Sequence, residues 1–183
     1  YLCAMADQKA VNKTREKIKK DLFSGDDKVV LAAVKKTSKN GDASFIHPLL
    51  IAYRDAGEGK IRDEIGKMLR ELKISEGEDI LLEALKGEEF PGMEGDLMSF
   101  IWNSGFQTVD DLEVIVDKSL KGDYMCAVEG LTLLESLGGP VNEESLHQAL
   151  IDVRTFLMEH KDTDHQNFPI ALGIYEVLSK FEE

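Results

Sequence analysis

Residues 60–72 read Lys60-Ile61-Arg62-Asp63-Glu64-Ile65-Gly66-Lys67-Met68-Leu69-Arg70-Glu71-Leu72. Ile61, Ile65, Met68, Leu69 and Leu72 fall at i, i+4, i+7, i+8 and i+11, which is one face of a helix, and the positions between them are mostly charged. The same spacing returns at Leu49, Leu50 and Tyr53, and at Leu112, Ile115, Val116 and Leu120. It returns again at Leu146, Leu150, Val153, Phe156 and Leu157. No run alternates apolar and polar residues as a half-buried strand does. Glu, Lys, Leu, Ala and Met are plentiful, and all are good helix formers. The chain therefore reads as all-α.

Glycine and aspartate cut the pattern into short pieces: Gly25-Asp26, Gly41-Asp42, Gly57 to Gly59, Gly87, Gly105, Gly122-Asp123 and Gly138-Gly139-Pro140. The spacing predicts ten helices, over 8–23, 26–38, 44–56, 60–73, 77–86, 91–104, 108–121, 124–137, 142–160 and 165–181. Asp26, Ser44, Thr108, Asp123, Asn142 and Asp164 are the predicted N-caps, each with a side-chain oxygen for free first-turn amides. Pro91 stands where a first-turn proline would open a helix. Connections of a few residues make successive helices antiparallel neighbours.

The chain has 183 residues and is 43% hydrophobic and 31% charged, so it can hold a core under a solvated surface. Met5-Ala6-Asp7 reads as a natural beginning, so residues 1–7 are expected to be a disordered or cloning-derived start and 8–183 a single domain. No apolar run approaches the about 18 residues of a membrane helix, and the start lacks the pattern of a secretory leader. Two cysteines, Cys3 and Cys126, cannot make a disulfide scaffold, which points to a reducing, cytoplasmic compartment. Charge is unevenly spread along the chain. Residues 9–39 hold ten basic and four acidic residues, 40–73 six of each, and 74–183 six basic and 24 acidic. The net charge of −13 argues against nucleic acid as a partner. The asymmetry can steer a polar partner, or a second copy head to tail.

There is an internal period near 33 residues: Leu69, Ile101 and Leu134 recur at spacings of 32 and 33 on successive second helices. Gly66, Gly130 and Gly173 also lie on second helices. An interior glycine costs about 0.8–1 kcal/mol against alanine, so three of them suggest close approach between helices. Ala43-Ser44-Phe45-Ile46-His47-Pro48-Leu49-Leu50 and Lys60 to Leu69 resemble the proline-bearing first helix and the aliphatic-Arg second helix of HEAT-like (armadillo-type) repeats. The resemblance covers about 40–180, with 8–38 as a degenerate capping pair, and it lapses at Phe90 to Gly95, Asp123 to Met125 and Gln166 to Pro169. It implies a right-handed α-α superhelix, a short solenoid of about five antiparallel hairpins, with second helices lining a concave face. That face would run from Lys28, Lys35 and Lys36 through Arg62 and Arg70 to Glu129, Glu135 and Glu176.

Chemistry-bearing motifs are absent: no phosphate loop, dinucleotide fingerprint, His-Glu-x-x-His or nucleophile elbow occurs. Cys126 lacks a partner at metal-ligand spacing and reads as a small buried hydrophobe. His160-Lys161-Asp162-Thr163-Asp164-His165 could hold a divalent ion, yet it also suits a turn between two helices. Glu76 to Asp96 is acid-rich and reads as a solvated face. Trp102 and Tyr124 are the aromatics that could anchor an interface. The function expected is a non-enzymatic interaction or scaffold module taking a protein or peptide on the concave face, through Arg62, Arg70, Trp102, Tyr124 and Glu129, with no cofactor and no metal. Two other readings stay open: a HEAT-like enzyme of the bilin-lyase or DNA-glycosylase kind, and a self-assembling structural protein.

Overall fold

Short amphipathic stretches with no strand pattern between them fold as helices and nothing else. The computed structural model describes residues 2–40, 42–73, 76–106 and 110–182, with side chains from residue 11 onward apart from 39 and 40. Among the described residues there are ten α-helices and no strand. They are α1 (Leu2–Asp21), α2 (Asp27–Asn40), α3 (Ile46–Asp55, after a 3-10 turn at Ala43–Phe45), α4 (Lys60–Arg70) and α5 (Gly77–Lys86). There follow α6 (Glu94–Ser104), α7 (Leu112–Lys121), α8 (Tyr124–Ser136), α9 (Glu143–His160) and α10 (Phe168–Ser179). None of them is long and apolar enough to cross a membrane.

The chain divides into two units, Tyr1–Ile80 and Leu81–Glu183. In the first, α1 packs on α2, α2 on α4, and α3 on α4. Ile18, Val34, Phe45, Leu50, Ile65 and Leu69 are buried there. In the second, α6 packs on α8, α8 on α10, and α7 on α9, while α7 also meets α8 and α9 meets α10. The second unit thus has two rows, α6–α8–α10 and α7–α9. The residues repeating on second helices, Leu69, Ile101 and Leu134, are all fully enclosed. Each such side chain removed from water contributes about 1.5–3 kcal/mol.

The interior glycines sit where helices press together. A Cβ at Gly66 would lie 3.0 Å from the Tyr53 ring, and one at Gly173 3.0 Å from Leu131. A Cβ at Gly130 would overlap the Ser119 hydroxyl and lie 2.8 Å from Ser119 Cβ. Close approach, expected from the cost of glycine in a helix, is what these three positions share.

Several helix starts differ from the predicted ones. Asp26, Asp123 and Asn142 cap as expected, accepting from Lys28 N (2.8 Å), Cys126 N (2.8 Å) and Ser145 N (3.0 Å). Ser44 does not cap α3; Asp42 caps the 3-10 turn that leads into it, accepting from Ser44 N at 3.0 Å. Hydrogen bonding from Ser44, with Arg15 2.7 Å away, holds the Asp42 carboxyl below its ordinary pKa. Pro91 does not open α6. Phe90 to Gly92 form a turn closed by Met93 N donating to Phe90 O, and Gly92 takes φ +78°, so the helix begins at Glu94. Thr108 lies outside the described residues, and α7 begins at Leu112. Its first amide donates to Ser145 Oγ of α9 at 2.7 Å, while Asp111 is drawn to Lys86 Nζ at 2.8 Å. Asp164 does not cap α10, which begins at Phe168 after Asn167. The Asn167 amide donates instead to Gly122 O (2.9 Å) and Leu120 O (3.4 Å), closing the C-terminus of α7.

Candidate functional site

Three helix ends in the second unit meet around a groove of about 720 Å³: the start of α6, the end of α7 and the start of α8. Gly95 and Gly122 let them come together. A Cβ on Gly95 would lie 3.3 Å from Cys126 Cα, and one on Gly122 2.6 Å from Cys126 Cβ. Cys126 is the floor of the junction and is 7% exposed. The walls carry Glu94, Asp96, Asp117, Asp123 and Glu129 against Lys118 and Lys121. Asp117 is paired with Lys121, and Asp123 serves as the α8 cap. The groove keeps a negative balance, and its rim bears Met125, 60% exposed, beside Tyr124, 47% exposed.

Of the five residues singled out in the sequence, the structure joins two. The indole N–H of Trp102, near the end of α6, donates to Glu129 Oε2 of α8 at 2.7 Å. That bond ties the α6–α8 pair together and fixes the Glu129 carboxylate at the groove wall. Tyr124 opens the same helix. Trp102→Phe takes away the donor from a half-buried carboxylate. It should cost about 1–2 kcal/mol in urea unfolding, whereas a phenylalanine that unfolds at the wild-type midpoint would show the bond to contribute nothing.

Arg62 and Arg70 lie in the first unit, Arg62 against Tyr53 and Arg70 beside Gly66. The Arg62 guanidinium stacks 3.9 Å above the Tyr53 ring and donates to Tyr53 O at 3.0 Å, which closes the C-terminus of α3. Arg70 Nη1 would stand 3.2 Å from a Cβ at Gly66. Sequence spacing alone did not reveal the Tyr53 partnership, because the stacking crosses from one helix to the next.

Cys126 sits in a setting that disfavours its thiolate. Burial pushes its thiol up to about 12, and Glu94, Asp123 and Glu129 push the same way. The thiolate required for attack is scarce at neutral pH. Because the folded pKa stands above the ordinary 9.0, the stability the thiol contributes is complete below that value and is lost as pH rises towards 12. Two outcomes follow in a Cys3→Ser background. A thiol-specific disulfide reagent should label Cys126 at neutral pH only after denaturant is added, and Cys126→Ala should lessen the alkaline loss of stability. Prompt labelling of the native chain would contradict the first.

The loop with paired histidines is a packed turn. His160 lies 4.4 Å from both the Phe156 and the His165 rings, and His165 Nδ1 accepts from Asn167 N at 3.2 Å. Asp162 and Asp164 are exposed. Among the described residues no three His, Cys, Asp or Glu side chains are grouped to hold a metal. Glu94 and Asp96, read from the sequence as part of a solvated acidic stretch, prove to be groove residues. Only the meeting of α6 with α7 and α8 gives them that setting. No family model matches the chain, and neither a curated protein nor a solved structure matches it.

Proposed function

We propose that the chain is a HEAT-like helical-repeat protein, its second unit stacked as a short right-handed superhelix, and that it works as a non-enzymatic interaction module in the cytoplasm. The packing of α6 on α8, α8 on α10 and α7 on α9 supports the stacking, since each helix rests on the one two places along. The partner is a protein or peptide that offers basic side chains around an apolar anchor. The observation carrying this reading is the groove at the α6, α7 and α8 ends. Its carboxylates outnumber its lysines, and Met125 stands exposed at its edge with Tyr124 next to it in the chain. Carboxylates give steering and register, and the exposed aromatic and thioether side chains supply area to bury. Glu129, held by Trp102, is a charge already fixed in place, so little side-chain entropy is lost on binding it.

The test is a titration followed by the single tryptophan, Trp102, whose indole touches the groove wall. A short amphipathic helical peptide of leucine and lysine should bind, and should be released as salt screens the charges. Its leucine–glutamate counterpart should not. Glu94→Lys and Met125→Ala should each weaken binding about tenfold, near 1.4 kcal/mol. Equal binding of the acidic peptide, or indifference to both substitutions, would remove the groove from the reading.

A further inference from the structure

The first unit presents a surface of the opposite character. Lys13, Lys17 and Lys20 occupy positions i, i+4 and i+7 of α1, hence one face, and all three are exposed. None has an ion-pair partner among the described residues. Lys19, by contrast, reaches Glu16 at 3.9 Å and lies over the Phe45 ring. Just past the end of the same helix Phe23 is 52% exposed. Three ammonium groups with no ion-pair partner among the described residues, with the exposed Phe23 ring just beyond them, are what the groove of the second unit lacks. Its carboxylates outnumber its lysines, and its exposed apolar rim residue is Met125.

We propose that the α1 face of one copy, through Lys13, Lys17, Lys20 and Phe23, docks on the acidic groove of a second copy. This rests on the reading of that groove as a docking surface and names its partner. The two faces differ, so the contact is heterologous. A pair joined by one such contact keeps one unused face of each kind, which a further copy can take up. Opposed fields speed encounter, and because exposed charges carry them, the association weakens steeply with ionic strength. A second copy is the occupant favoured here because the chain itself carries both halves of the complement.

The test uses the full chain and sedimentation velocity. Mass should rise with concentration in low salt, and return to the 20.4 kDa monomer in about 0.5 M sodium chloride. Lys13→Glu/Lys17→Glu blocks the basic face and Glu94→Lys/Met125→Lys blocks the groove, each at surface positions whose folding is checked by circular dichroism. Either variant alone should associate at least about tenfold more weakly than wild type. Mixed, they should form a one-to-one pair and nothing larger, because each retains one working face. A wild-type chain that stays monomeric at every concentration and salt overturns self-docking. If it binds the leucine–lysine peptide all the same, the groove stands as a site for another partner. Association that survives the groove variant overturns self-docking, since the basic face would then be docking elsewhere, and the peptide titration alone decides the groove.

Discussion

Phe100→Ala should lower the stability of the second unit by about 3–5 kcal/mol, a large share of the about 5–15 kcal/mol that holds an ordinary domain together. Phe100 is 0% exposed, and its neighbours Leu97, Met98 and Ile101 on α6 are enclosed with it. Truncation to alanine removes six ring carbons from a helix flanked on more than one side, so the surroundings cannot close the void. Phe23→Ala makes the contrast, because half of that ring already meets water and its loss should change stability by less than about 0.5 kcal/mol. Urea unfolding followed by circular dichroism and by Trp102 fluorescence would read both. Comparable midpoints for the two variants would show that α6 is not the enclosed helix described above.

Gly130→Ala should destabilise by about 2 kcal/mol although alanine is the better helix former. Two effects oppose one another. Helix propensity favours alanine by about 1 kcal/mol. Against it, the new Cβ would overlap the Ser119 hydroxyl, come to 2.8 Å of Ser119 Cβ and to 3.3 Å of Met98 Sδ. Rotating Ser119 does not help, because its Cβ is fixed to the α7 backbone and its hydroxyl donates to Ile115 O at 2.6 Å. The helices must part, and Gly130→Leu should part them further and unfold the unit. Ser119→Gly in the Gly130→Ala background should recover much of the loss by vacating the space. An alanine variant as stable as wild type would mean that α7 and α8 do not approach so closely.

Much of the candidate site was invisible in the sequence for a reason shared by its parts. Glu129 and Trp102 are 27 residues apart, and Ser145 and Leu112 are 33 apart, yet each pair is hydrogen-bonded. Asn167 reaches Gly122 across 45 residues. Caps that act within three residues, at Asp26, Asp123 and Asn142, were legible because the donor and acceptor are set by local geometry. The starts expected at Pro91 and Asp164 were not, because a turn at Gly92 precedes α6 and α10 begins only after Asn167, whose amide is bonded to the end of α7. Tyr124 and Glu129 could be picked out as candidates, while Met125 and Glu94 gained interest only once three helix ends met.

Periodicity and punctuation alone determined that the described residues form ten α-helices and roughly where each one lies, because helix formation and capping are decided by residues a turn apart. They also determined that charge separates along the chain and that glycines must sit at close contacts. Tertiary structure alone decided which helices touch, that Arg62 stacks on Tyr53, that Cys126 is buried at a junction of helix ends, and that scattered carboxylates share one groove. Those outcomes depend on how distant surfaces fit and exclude water, and a linear pattern carries no record of that fit.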